Sequence, residues 1–161
     1  MSARVEALPT AGRLPALRAI LSTTDDPVAT LARLVLALVM FPHGAQKVLG
    51  WFGGHGFSGT MQFFTEQMGI PAVLAFLAIA VEFLGPLALV LGLAGRVAAA
   101  GIVVNMAVAA WMVHLPNGFF MNWFGNQKGE GFEYHLLAIA LALVVVVRGS
   151  GGWSLDRRLS R

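Results

Sequence analysis

The sequence predicts an all-α fold, an integral membrane four-helix bundle with both termini cytoplasmic and aromatic, glycine-rich outer loops. Three observations carry this. Of the 161 residues, 57% are hydrophobic and 12% charged, and mean hydropathy is +0.74; a soluble domain carries roughly 25% charged residues. The apolar residues fall in four blocks, near 28–49, 71–93, 96–115 and 132–148. Each is about long enough to cross a hydrocarbon core of roughly 30 Å at 1.5 Å per residue. The basic residues, finally, divide by side: with the N-terminus inside, nine of the eleven lie in inner segments or near the inner surface. These are Arg4, Arg13, Arg18, Arg33, Arg96, Arg148, Arg157, Arg158 and Arg161, against Lys47 and Lys128 outside, a clear positive-inside bias.

Residues 1–26 read as a cytoplasmic tail. Arg4, Arg13 and Arg18 stand among prolines, with no apolar run of signal-peptide length. Leu14, Leu17, Ile20 and Leu21 beside two arginines suit a short interfacial helix on anionic lipid, with a disordered tail as the alternative. Thr24, Asp25 and Asp26 before Pro27 supply cap residues and a first-turn proline for the first span. Pro71 can open the second span likewise, and Gly92 and Gly95 bracket the turn into the third. Pro116, Asn117 and Gly118 end the third span, and Gly149 to Gly152 end the fourth. The membrane domain is therefore expected over 27–149, and residues 150–161 form a basic cytoplasmic tail.

Both outer loops are rich in aromatics. Residues 50–70 hold Trp51, Phe52, Phe57, Phe63 and Phe64, and Ser58 can cap a short helix ending at Gly69. Residues 116–131 hold Phe119, Phe120, Trp123 and Phe124 around three asparagines. They form either an interfacial aromatic belt or a lid over the bundle, for which Trp51, Phe119 and Trp123 are the candidates.

All four histidines and both lysines lie in the outer half or the outer loops. An ionisable group at the centre of a span costs at least ~2.5–3.5 kcal/mol on the insertion scale, so each needs an explanation. Arg33, Leu36, Met40, His43 and Lys47 share a stripe about 80° wide on the first span. His43 and Lys47, one turn apart, can share a ligand or a carboxylate; alternatively Lys47 and Arg33 snorkel to opposite surfaces. Glu82 stands mid-span on a face with Ala75, Ala78, Gly85, Leu89 and Gly92. A small-residue face packs against other helices, so Glu82 points into the bundle and must be protonated, hydrogen-bonded or paired. His43 is the nearest basic group in depth and Asn105 another polar neighbour. His114 closes the third span, while Glu133 and His135 open the fourth about 200° apart and cannot both face inward. Glu133 also has an ordinary helix-dipole role.

These segments resemble the DoxX family. The resemblance rests on Phe-Pro-His-Gly-Ala-Gln-Lys at 41–47, Glu82-Phe-Leu-Gly85, and His114-Leu-Pro-Asn-Gly-Phe-Phe continuing to Gly131-Phe-Glu-Tyr-His-Leu-Leu137. Gly149-Ser-Gly-Gly-Trp-Ser-Leu-Asp156 completes it. It implies a small bacterial inner-membrane four-helix protein, with relatives that include a subunit associated with thiosulfate:quinone oxidoreductase and others tied to redox or oxidative-stress partners. It transfers fold and location better than chemistry. His43, Lys47, Glu82, His114, Glu133 and His135 are the site candidates it carries over, with Asn105 added from its place beside Glu82.

Composition narrows the chemistry. With no cysteine, disulfides, thiol redox catalysis, iron–sulfur clusters and cysteine-ligated zinc are excluded. The pI of about 10.2 invites a nucleic-acid partner, yet the basic residues form no patch and topology accounts for them. No flavin or nucleotide fingerprint is present, so a quinone is the single cofactor expected and no metal is. The expected partners are the lipid bilayer, a redox-enzyme subunit and further copies of the chain. The leading expectation is an accessory subunit binding a small lipophilic, quinone-like ligand near the outer leaflet. A ligand-free scaffold, a small-solute or proton-coupled transporter and a haem-binding bundle are the alternatives.

Overall fold

The computed structural model describes residues 19–160, and it is helical with no strand among them. Arg4, Arg13, Arg18 and Arg161 lie outside the described residues, as do Leu14 and Leu17 of the proposed tail helix, while residues 19–21, with its Ile20 and Leu21, are helical. Helix α1 is Pro27–Leu49, α2 the short Gly56–Gln62, α3 Ala72–Leu91, α4 Gly95–Ala109, α5 Glu133–Arg148 and α6 the short Leu155–Leu159. Three helical stretches are long and apolar enough to cross a membrane: Pro27–Leu49, Ala72–Leu91 and Gly95–Asn117, the last being α4 extended by a wider turn over Ala110–His114 and a tight one over Leu115–Asn117. The fourth expected span, α5, has 16 residues. That is about 24 Å of helix, short of the ~30 Å core.

The four long helices close a ring, α1 against α3 and α5, and α4 against α3 and α5. Small side chains permit this. Ala32, Ala37, Ala99, Ala138 and Ala142 fill the centre with Leu36, Met40, Leu89, Ile102 and Val145. Outward faces carry Leu31, Leu38, Val73, Leu84, Val97 and Val104, all exposed as lipid-facing side chains must be. Pro42 lies within α1 and Pro86 within α3, and neither ends its helix. Pro86 has no N–H to offer the Glu82 carbonyl four residues back. Gly44 of α1 sits against that segment, where an added Cβ would strike the Glu82 carbonyl and lie 2.6 Å from the Phe83 Cα. Only glycine brings α1 this close to α3 at Glu82.

The helix ends follow their caps. Asp26 accepts from the Val28 and Ala29 amides at 2.9 and 3.2 Å. Its carboxyl is held below the usual carboxylate range, chiefly by the Ala29 amide and also by Arg148 at 2.8 Å. The helix expected to be capped by Ser58 begins at Gly56 after His55, so Ser58 lies inside it.

The end of the bundle at the start of α1 and the α3–α4 turn departs from the sequence expectation. Arg33 does not snorkel: it is 1% exposed. Its guanidinium donates to the Leu89 and Val90 carbonyls at the end of α3 and to those of Ser150, Gly152 and Trp153. It thereby adds a donor to carbonyls at the C-terminal end of α3, where Leu89 also accepts from the Gly92 amide at 3.1 Å. Residues 150–160, expected to trail as a basic tail, fold back under the bundle. Asp156, also 1% exposed, accepts from the Ala94 and Gly95 amides at 2.7 and 2.9 Å and from Ser150 Oγ at 2.6 Å. Arg157 pairs with Asp25 at 2.7 Å. This clasp of two buried charges ties the α3–α4 turn to the segment after α5.

Candidate functional site

At the opposite end of the bundle lies a cavity of about 340 Å³, at the lower end of the ~300–1,000 Å³ usual for small-molecule sites. Its polar wall comes from all four long helices: His43 and Lys47 from α1, Glu82 from α3, Asn105 and His114 from α4 and its extension, and Tyr134 and His135 from α5. The apolar wall is dominated by thioethers. Met40, Met68, Met106, Met112 and Met121, five of the seven methionines in the chain, line it together with Phe63 and Phe64. Methionine's flexible, polarisable side chain adapts to flat and irregular apolar ligands.

Glu82, 6% exposed, is paired with Lys47 at 2.9 Å. The small-residue stripe points the carboxylate inward as expected, but its partner is Lys47 and not His43. The long lysine stem turns back one helical turn into the bundle instead of outward, which places a compensated charge pair where a lone carboxylate would be costly. His43 packs its ring against Tyr134, with centroids 5.6 Å apart. Asn105 reaches the Ala78 carbonyl only at 3.5 Å, so its amide remains largely uncommitted. Tyr134 places its hydroxyl 3.4 Å from Met40 Sδ.

His114 and His135 stack with centroids 4.1 Å apart. His114 Nδ1 donates to the Glu130 carbonyl at 2.9 Å, which fixes its tautomer and ties the cavity wall to the loop before α5. Glu133 turns away from His135, as their angular separation requires. Its carboxylate accepts from the Met121 amide at 2.8 Å and from Trp123 Nε1 at 3.3 Å. It organises the loop and does not line the cavity.

Six of the seven candidate polar residues thus converge on one cavity, Glu133 being the exception. Arg33, on the same stripe as His43 and Lys47, is about 21 Å along α1 from Lys47 and belongs to the clasp at the other end of the bundle. The three aromatics expected as a lid do not line the cavity. Trp51, Phe119 and Trp123 are 53%, 45% and 80% exposed, because their positions project them outward from the loop turns. The loops contribute other residues: Phe63 and Phe64 on a wide helical turn over Phe63–Gln67, then Met68, Ile70, Met121 and Glu130. Tyr134 and Glu130 escaped the sequence reading as cavity groups. A lone tyrosine between Glu133 and His135 was the one available signal, and nothing in the sequence singled out Glu130.

A second hollow of about 290 Å³ adjoins the first, sharing Lys47, Phe63 and Phe64 and adding Gln46, His55 and Thr60. Lys47 therefore faces both a polar vestibule and the apolar cavity.

Comparison with known proteins follows these boundaries. A family model described as DoxX matches residues 28–115, which include His43, Lys47, Glu82, Asn105 and His114 but end before Tyr134 and His135. An uncharacterized membrane protein of Mycobacterium tuberculosis is 31% identical, over 94% of this chain and 93% of its own length. CatD of Bacillus subtilis, provisionally named an oxidoreductase, is 29% identical over 78% of this chain and 82% of its own. The inner membrane protein YqjF of Escherichia coli is 26% identical over 85% and 95%. No solved structure matches.

Proposed function

The chain belongs to the DoxX family of membrane proteins, and from that premise we propose that it is an accessory inner-membrane subunit of a redox or oxidative-stress system. Its outer cavity binds a small lipophilic, quinone-like ligand. The observation that carries this is the mixed lining: thioether and phenyl groups together with a Lys47–Glu82 ion pair at 2.9 Å and the His43 and Asn105 side chains. Lys47 spends one of its three donors on Glu82 and keeps the others for a ligand oxygen. Glu82, hydrogen-bonded to Lys47, stands ready to exchange a proton with a bound hydroxyl. The chain carries no flavin or nucleotide fingerprint, so electrons come from a partner subunit. The oxidoreductase name of the Bacillus subtilis relative is in keeping with that assignment.

Mass spectrometry of lipid extracts from gently purified protein tests it. Quinone near one per chain in the wild type, and its loss in Glu82→Gln and His43→Ala, is the expected result. A wild-type protein that carries none, together with no response of any co-purifying oxidoreductase to Glu82→Gln, contradicts it.

We further propose that α5 crosses the membrane as a fourth, short span with both termini cytoplasmic. Its outward Leu136, Leu137, Leu143 and Val147 match the lipid-facing character of the other helices, and the arginines gather at the inner end. The absence of native cysteine makes single-cysteine labelling clean. Asn126→Cys should react with an impermeant maleimide in intact cells and Ser160→Cys only after lysis; the reverse pattern refutes the orientation.

A further inference from the structure

His135 brings an uncommitted hydrogen-bonding group to the cavity. It is 6% exposed and lines the wall, and its ring is held between His114 at 4.1 Å and Tyr134 at 5.5 Å. Its Nδ1 is sealed from solvent and lacks any partner among the described residues. Orphaned N–H groups are rarer in proteins than bare acceptors, and an unsatisfied one costs on the order of 1–3 kcal/mol. The ring proton therefore belongs on Nε2, the nitrogen on the opposite edge. In that tautomer the imidazole offers one N–H on the edge away from the sealed nitrogen, the ring lines the cavity, and no hydrogen bond within the described residues engages that edge.

The residues lining the cavity thus supply two donors from two helices, Lys47 Nζ of α1 and His135 Nε2 of α5, among thioether and other apolar side chains. A one-headed amphiphile such as a fatty alcohol satisfies Lys47 and leaves His135 unpaired. A flat ring with an acceptor oxygen at each end satisfies both. We propose that His135 is the second anchor of the site and that the ligand is an oxidised para-quinone, one carbonyl accepting from Lys47 and the other from His135 Nε2–H. This rests on the quinone-like reading of the cavity and sharpens it to a two-carbonyl ligand.

The test compares two probes, a benzoquinone bearing one isoprenyl unit and its single-carbonyl analogue, by calorimetric titration of the purified full chain in nanodiscs. The wild type should bind the quinone roughly tenfold more tightly, the effect of one additional buried hydrogen bond. His135→Phe should erase that preference by weakening only the quinone. His135→Gln, which retains a donor, should keep most of it. Lys47→Met should weaken both probes together. Equal affinities in the wild type, or a preference that survives in His135→Phe, overturns the anchor while leaving the quinone-like site standing. So does a glutamine variant that behaves like phenylalanine. Should the phenylalanine variant fail to fold, the wild-type ratio and the glutamine variant decide alone. If neither probe binds a folded wild type, the anchor and the site assignment both fall.

Discussion

Replacing Lys47 with methionine isolates the ion pair at the centre of the account. The substitution keeps an unbranched apolar stem and removes the ammonium that lies 2.9 Å from Glu82. Glu82 then stays 6% exposed with no other hydrogen-bond donor among the described residues. Breaking a buried pair by removing one partner typically costs ~3–5 kcal/mol. Because the Lys47 side chain is itself 24% exposed, part of the attraction is screened, and we expect about 2–4 kcal/mol. Four tryptophans supply an intrinsic signal for thermal unfolding in detergent. Glu82→Gln should be destabilised less, since an amide carries no charge to strand. The double variant Lys47→Met/Glu82→Gln should recover much of the single loss, giving a coupling of about 1.5–3 kcal/mol. A Lys47→Met protein within about 0.5 kcal/mol of wild type, or losses that simply add in the double variant, would refute the idea that the pair neutralises a buried carboxylate.

Three further expectations concern the scaffold. Gly44→Ala forces α1 away from α3, since the new Cβ would meet backbone, and should cost at least ~2 kcal/mol in the same melt; tolerance of alanine there would contradict the close approach. Asp26→Asn should show a pH-dependent difference. A carboxyl whose folded value lies below its ordinary 3.8 stabilises the fold above that pH and loses its contribution as pH falls through the folded value. The stability gap between wild type and Asp26→Asn should therefore narrow below about pH 4, and a gap that widens in acid reverses the sign. Glu133→Gln weakens the bonds to Met121 and Trp123 and should raise proteolytic cleavage between 118 and 132 severalfold with little change in the melt; unchanged cleavage would argue against the loop clasp.

Several features were legible in the sequence because they depend on periodicity alone. The stripe of Ala75, Ala78 and Gly85 beside Glu82 predicted which way that carboxylate points, and the angular separation of Glu133 and His135 predicted that only one could enter the bundle. What periodicity does not encode is reach. Glu82 pairs with Lys47 instead of His43 because a lysine stem spans a helical turn and an imidazole does not. Nor does composition separate a belt aromatic from a wall aromatic: Phe63 and Phe64 line the cavity from a wide helical turn, although Phe63 stays 44% exposed, while Trp123 in the other loop is 80% exposed and does not reach it. The burial of Arg33 was invisible because its acceptors are main-chain carbonyls. Three of the five, those of Ser150, Gly152 and Trp153, are brought to it by a return of residues 150–156, with positive φ at Gly149 and Gly151.

Photoaffinity labelling with an azido-quinone tests the central claim most directly, because it reports place as well as binding. Labelling should concentrate on the peptides carrying Phe63 to Met68 and Met106 to Met121, and an excess of unlabelled quinone should compete it away. Label confined to lipid-facing positions such as Leu31, Leu38 and Val97, and insensitive to competitor, would mean that the outer cavity is not a quinone site.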